Sequence, residues 1–134
     1  MENCLFCKII KGEIPCFKIY ESEHVLAFLD ISKNPEGHTL VIPKVHSCNM
    51  LDTLMVDFSR VLEATQQISN HYVNIGFADG VNIYINSGKE AGQEIDHLHV
   101  HIIPRRVNDG IVFSHTKKES DTDLAELATV LKIN

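Results

Sequence analysis

One stretch of this chain repeats apolar residues at intervals of three and four: Leu51, Leu54, Met55, Phe58, Val61, Leu62, Thr65, Ile68, Tyr72 and Ile75. The period lays them along one stripe of a long amphipathic helix, whose start Asp52 or Thr53 is placed to cap. Such a helix must bury its stripe on something, and the rest of the chain offers short strands. Phe17 to Glu21 and His24 to Leu29, joined by Glu21-Ser22-Glu23, read as a hairpin rich in β-branched and aromatic residues. His38 to Ile42 is a third strand, stopped by Pro43, and Val81 to Ile85 follows the turn Asp79-Gly80. A last strand runs from about Asp96 to Ile103 and ends at Pro104. Asp30 to Gly37 and Asn86 to Gln93 are loops. Cys4 to Lys11, closed by Gly12, and the stretch carrying Leu124, Leu127 and Leu131 read as short terminal helices. Strands that come in adjacent groups predict an α+β fold: an antiparallel sheet of about five strands with one long helix packed across it. No repeat divides the 134 residues, so one domain is expected over 1–134, with 107–134 as a variable tail.

Charge narrows the partners. A formal net charge of −6 is wrong for a general nucleic-acid binder, which neutralises phosphates with a broad basic surface. A small anionic ligand stays open if local positive potential offsets the global repulsion. Lys44, Lys89, Arg105 and Arg106 lie near the motifs below and are the candidates to supply it. Apolar residues make up 44% of the chain, but no run approaches the ~20 residues that span a bilayer. The opening residues carry acid and cysteine rather than a basic stretch and an apolar run, so no secretory leader is expected. Cys4, Cys7, Cys16 and Cys48 are too few for a disulfide scaffold, and the expectation is a soluble protein of a reducing, cytoplasmic compartment.

His97-Leu98-His99-Val100-His101 alternates imidazoles with apolar side chains. On a strand this sets three histidines on one face and turns Leu98, Val100 and Ile102 under the long helix. Protonated together the three rings would repel, so neutral forms are favoured. A neutral imidazole serves as nucleophile, general base or metal ligand. Read on these residues alone, the run admits catalysis, metal binding or a solvated face that happens to carry histidine. The loop before it, Asn86-Ser87-Gly88-Lys89-Glu90-Ala91-Gly92-Gln93, has glycines that let backbone N–H groups close on an anion.

The run from His97 to Ile103 resembles the signature of the histidine triad (HIT) family, in which histidine alternates with apolar residues. Asn86 and Gly92-Gln93 match the loop that leads into it. Gly37-His38-Thr39-Leu40-Val41-Ile42-Pro43-Lys44-Val45-His46 matches a second landmark, Asp30-Ile31 a ribose-contacting pair, and Cys4-Leu5-Phe6-Cys7-Lys8-Ile9-Ile10 the opening segment. The resemblance runs from Cys4 to Arg105 and is closest to the small nucleoside phosphoramidase-like branch. It implies a HIT-like fold and a nucleotide hydrolase in which His99 attacks the α-phosphorus, forming a nucleotidyl-histidine that water resolves. His101 would orient or polarise the site, with His97 completing the triad. Asn86, Gln93 and backbone N–H groups near Gly92 would hold phosphate oxygens, and Asp30 the ribose hydroxyls. Leu5, Phe6, Ile9 and Ile31 would sandwich the base. The substrate class this suggests is a purine nucleoside phosphoramidate. Alternatives are a dinucleoside polyphosphate hydrolase or nucleotidyl transferase, and a nucleotide- or zinc-binding regulatory module with little turnover. No organic cofactor is implied. The expected partners are a small-molecule nucleotide and a second copy in a homodimer built on the long helices and central strands, with neither nucleic acid nor membrane. Glu94 departs from the pattern, standing where the branch has a small hydroxyl residue, and this bears on the leaving group.

Cys4-x-x-Cys7 has the spacing of half a tetrahedral zinc site, which His46 and His97 are able to complete as Cys2His2. The resemblance supports a structural zinc, since some members, the related uridylyltransferases included, hold one in this way. Two thiols packed in a short helix, or a redox pair, are the other readings. A closed zinc site would leave His99 free. His24, His71 and His115 are expected to face solvent or bond locally, His38 to be structural, Cys16 and Cys48 inert, and Lys117-Lys118-Glu119 a solvated surface.

Overall fold

The alternation of side chains across each strand sorts the core into two layers, one under each of two helices. In the computed structural model, which describes residues 3–32, 34–112 and 121–133, five strands form one antiparallel sheet. They are β1 (Lys18–Glu21), β2 (Val25–Leu29), β3 (Thr39–Pro43), β4 (Gly80–Tyr84) and β5 (Val100–Arg105), in the order β1-β2-β3-β5-β4. The helices are α1 (Leu5–Ile10), α2 (Met55–Asn74) and α3 (Leu124–Leu131). Val25, Ala27, Val41, Val100 and Ile102 cluster with Val61, Ala64, Ile68 and Tyr72 of α2. The alternate residues Leu26, Phe28, Leu40 and Ile42 cluster with Phe6 of α1. Each such aliphatic side chain contributes about 1.5–3 kcal/mol when fully buried, so both layers hold the sheet. Thr39, fully buried among them, donates to the Gly37 carbonyl at 2.8 Å and accepts from the Tyr72 hydroxyl at 2.7 Å. This α+β architecture is the expected one. His115 and the Lys117-Lys118-Glu119 run lie outside the described residues.

The long helix starts differently from expectation. Its N-cap is Leu54, and no side chain caps it. Asp52 instead accepts from the Cys48 and Asn49 N–H groups at 3.1 and 2.9 Å, and Thr53 donates to the Asn49 carbonyl at 2.6 Å. Both oxygens are committed to the turn ahead of the helix. Leu51, Leu54 and Met55 keep the apolar period but are 77%, 69% and 70% exposed. The buried part of the stripe begins at Val61.

The last strand begins at Val100 rather than near Asp96, and it continues through Pro104 to Arg105. Its first pairings are Val41 with Val100 and Tyr84 with His101. Ahead of them the backbone bonds elsewhere, the His97 N–H to the Ile95 carbonyl and the Leu98 N–H to that of Ser47. Pro104 fits because the Arg105 carbonyl accepts from Asp79 on the β4 side. Alternation turns the proline nitrogen the other way, where β3 has ended with Thr39 opposite Ile102. Among the described residues, no helix is long and apolar enough to cross a membrane.

Candidate active site

On the α1 side of the sheet a cleft of about 520 Å³ opens between α1, the end of β2 and the start of β5. His99 and His101 line it, as do Leu5, Phe6, Ile9, Asp30, Ile31, Asn86 and Gly92, so nine of the expected site residues converge there. His97 and Gln93 do not.

His99 sits on the approach to β5. Its Nδ1–H donates to the His97 carbonyl at 2.7 Å, which fixes the tautomer and leaves the lone pair on Nε2. Phe6 stands edge-on to it with ring centroids 5.2 Å apart, and edge-on to Phe28 and His97 at 5.6 and 5.9 Å. Phe6 is only 2% exposed, so most of its ring backs the histidine rather than facing a ligand. Ile31, 80% exposed, presents an apolar surface at the cleft.

His101 lies beside His99, their ring centroids 4.8 Å apart. Its Nδ1 is 2.9 Å from His38 Nε2, and His38 Nδ1 is 3.2 Å from the Asp30 carboxylate. The Asp30 carboxylate favours a proton on His38 Nδ1, although the pair falls short of hydrogen-bond geometry. His38 Nε2 then accepts from the His101 Nδ1–H, and the lone pair of His101 falls on Nε2, which is buried without a hydrogen-bond partner among the described residues. Burial, helped by His99 and His38 and opposed by Asp30, pushes His101 down to about 4. Burial also lowers His38, against the pull of Asp30. Both rings are therefore neutral near pH 7. His38, read from the sequence as structural, belongs to the site. Its landmark motif was visible, but nothing in the sequence paired it with a histidine 63 positions away. No motif in the sequence marks Tyr84 as a site residue. It lies opposite His101 in the β4–β5 ladder and stacks on it at 4.2 Å and 12°.

The loop from Asn86 to Gln93 is held from within. The Gln93 side-chain oxygen accepts from the Gly88 N–H at 2.8 Å and from Asn49 at 3.1 Å, and its amide donates to the Cys48 and Ile95 carbonyls. Gln93 thus builds the loop, and its donors are turned away from the cleft. Gly92 adopts φ +90°, a conformation that favours glycine. Three of the four expected cations are committed elsewhere, and the fourth, the exposed Lys89, does not line the cleft. Lys44 pairs with Glu21 at 2.7 Å, Arg105 forks on Asp109 at 2.8 and 3.1 Å, and Arg106 lies over Phe77. No lysine or arginine among the described residues lines the cleft, whereas Glu94 does. An anion there meets imidazoles and the Asn86 amide, because the N–H groups of Gly88, Ala91, Gly92 and Gln93 are bonded within the loop.

His97 turns to a second cluster, behind Phe6. Its Nδ1 is 3.4 Å from Cys4 Sγ and 3.6 Å from Cys7 Sγ, while His46 Nδ1 is 3.3 Å from Cys7 Sγ. His97 Nε2–H donates to the Pro43 carbonyl at 2.9 Å, so the nitrogen facing the sulfurs carries the lone pair. With Zn–S near 2.3 Å and Zn–N near 2.1 Å, sulfur and nitrogen ligands of one tetrahedral ion lie about 3.6 Å apart. All four donor atoms fall within 4.8 Å of one another, and all four cysteines are free thiols. The residues fit a zinc ion. Bound there, it would be closed off by four ligands and would supply rigidity, tying α1 to the turn before β5.

A model of the HIT domain matches residues 11–108. The chain is similar to the adenosine 5'-monophosphoramidase HNT1 of Saccharomyces cerevisiae, 40% identical over 90% of this chain and 74% of that one. It is also similar to the adenylylsulfatase HINT3 of Arabidopsis thaliana, 37% identical over 96% and 66% respectively. Among solved structures, a Zn-bound histidine triad family protein from Mycobacterium smegmatis superposes with a TM-score of 0.79 at 37% identity, covering 96% of this chain and 98% of that one.

Proposed function

Since this chain belongs to the HIT family, we propose that it hydrolyses nucleotide conjugates at the α-phosphorus, with purine nucleoside phosphoramidates as the substrate class. The observation that carries the reading is the His99 tautomer, with Nδ1 tied to the His97 carbonyl and the lone pair on Nε2 at the cleft. The substrate nitrogen takes a proton from solvent, His99 Nε2 attacks the phosphorus, and the bond from phosphorus to nitrogen breaks with its electron pair on the nitrogen, which leaves as the neutral amine. Water then attacks the nucleotidyl-histidine while His101 Nε2 takes its proton, and the bond to His99 breaks. Splitting the displacement in two lowers each barrier, and the rest is positioning and charge stabilisation. Asp30 is placed for the ribose hydroxyls, and Leu5, Ile9 and Ile31 for the base.

The cleft's charge favours an amine over a polyphosphate as leaving group. It has no lysine or arginine among the described residues, and the exposed Glu94 carboxylate lies on its wall, where it repels further anionic groups and suits a cationic one. A structural zinc on Cys4, Cys7, His46 and His97 completes the reading, supported by the donor geometry. So does a second copy of the chain, supported by the exposed Leu51, Leu54 and Met55 and by the place of β4 at the edge of the sheet.

The test is hydrolysis of adenosine 5'-phosphoramidate by the native protein and its His99→Ala variant, with a diadenosine polyphosphate in parallel. Release of AMP by the native protein alone is the expected result. If neither protein turns over either substrate while both bind AMP, the enzyme reading is wrong and a binding module takes its place.

A further inference from the structure

We infer that Tyr84 is the positioning residue for His101: its ring face sets the plane of the imidazole that takes up the proton of the attacking water. The inference rests on the hydrolase reading above. It comes from two constraints on one ring. The bond between His101 Nδ1 and His38 Nε2, 2.9 Å long, fixes one edge of the imidazole but leaves it free to rock about that bond. The Tyr84 ring, parallel to within 12° at 4.2 Å, removes the remaining freedom. Together they aim the unpartnered Nε2.

Tyr84 has no competing structural duty of the same kind. It is the last residue of the edge strand β4, directly across from His101, and belongs to neither core layer. Instead it lines the cleft with His101, His99, His38 and Asp30. His99, His38, Asp30 and Tyr84 are, among the described residues, the titratable groups packed around the imidazole. His99 approaches along its own chain, His38 from the start of β3, Asp30 from behind His38, and Tyr84 from β4. The phenol stays neutral, since burial and then the Asp30 charge push it up from its ordinary value. A neutral aromatic face does two things for this ring. It keeps water off one side of the resting imidazole, and it attracts the imidazolium that forms on proton capture.

The experiment compares native protein with Tyr84→Ala and Tyr84→Phe, by steady-state hydrolysis of adenosine 5'-phosphoramidate and by NMR titration of the ring nitrogens of His101. Tyr84→Ala is expected to lower kcat about tenfold, a fraction of what a general base provides, with KM changed less than about twofold. Its His101 is expected to titrate closer to the ordinary value near 6.5. Tyr84→Phe, which keeps the face and drops the hydroxyl, should rescue both. Native kcat and native titration in Tyr84→Ala would overturn the inference, as would a Tyr84→Phe that behaves like Tyr84→Ala. Tyr84→Leu replaces Tyr84→Ala if the latter melts early. Should the native protein prove inactive, the hydrolase reading fails by itself. The titrations still decide the stack, a shifted His101 supporting it and an unshifted one refuting it.

Discussion

Replacing Phe6 by leucine separates two jobs that one buried ring could hold. Phe6 is the buried residue of α1 and makes edge-to-face contacts with Phe28, His97 and His99. Leucine keeps most of the hydrophobic burial and loses those three contacts, each worth about 0.5–1.5 kcal/mol beyond area. The contacts share one ring and the site relaxes, so they do not add in full. The expected loss is about 2–3 kcal/mol, including the small void that remains. For a chain of this size it corresponds to a drop in melting temperature of about 6–15 °C. Kinetics at a temperature where both proteins are folded then divide the roles. If the ring chiefly backs the nucleophile, kcat falls and KM is little changed. If it chiefly walls the base, as the sequence suggested, KM rises and kcat holds. A raised KM with intact kcat therefore refutes the structural reading of Phe6, and an unchanged melting temperature refutes the energetic one.

Three further outcomes follow from the same geometry. Elemental analysis should find about one zinc per chain, lost in Cys7→Ser together with much of the thermal stability; an apo protein that melts like the native one counts against a structural metal. Stability should also depend on acid. His101 is held at about 4 when folded, below its unfolded value near 6.5, so its contribution is complete above pH ~6.5 and lost as pH falls toward 4, at up to about 1.4 kcal/mol per pH unit. Urea midpoints between about pH 7 and pH 5 should therefore slope less in His101→Asn, and parallel slopes would exclude His101 as the source. Gly37→Ala should destabilise by about 2–4 kcal/mol in a denaturant titration. Gly37 has φ +82°, and a Cβ there would come within 2.5 Å of the Phe77 ring and 3.0 Å of Pro104. A neutral result would refute both the clash and the cost of the positive φ.

Local pattern made the repeating elements legible. The period of α2 from Val61 to Tyr72 and the dense apolar runs of β2 and β3 were visible because both faces of the sheet are covered. The start of β5 was not, because a strand is defined by its neighbours. His97 to His99 alternates as well as Val100 to Ile102, yet pairing begins only where Val41 and Tyr84 lie alongside. The same limit applied to the site. His99, His101, Asp30 and Asn86 stood in recognisable motifs, and the cleft gathers them. Gln93 stood in one too, but its motif could not say that its amide faces Cys48 and Ile95. The His38–His101 bond and the Tyr84 stack depend on sheet register between distant segments, and no local spacing encodes that.

The bond between Cys4 and His97 joins positions 93 residues apart. Closing a segment that long costs chain entropy, and little of it is recovered until the far end is in place. His97 is also the residue whose carbonyl orients His99. During synthesis the two thiols that grip His97 emerge first, and the imidazole they grip emerges close to the end of the sheet. A growing or stalled chain therefore shows unclaimed cysteines and no oriented nucleophile. On the proposed reading, the nucleophile is oriented only in the completed fold, so a chain cut short of His97 is expected to show no turnover of adenosine 5'-phosphoramidate.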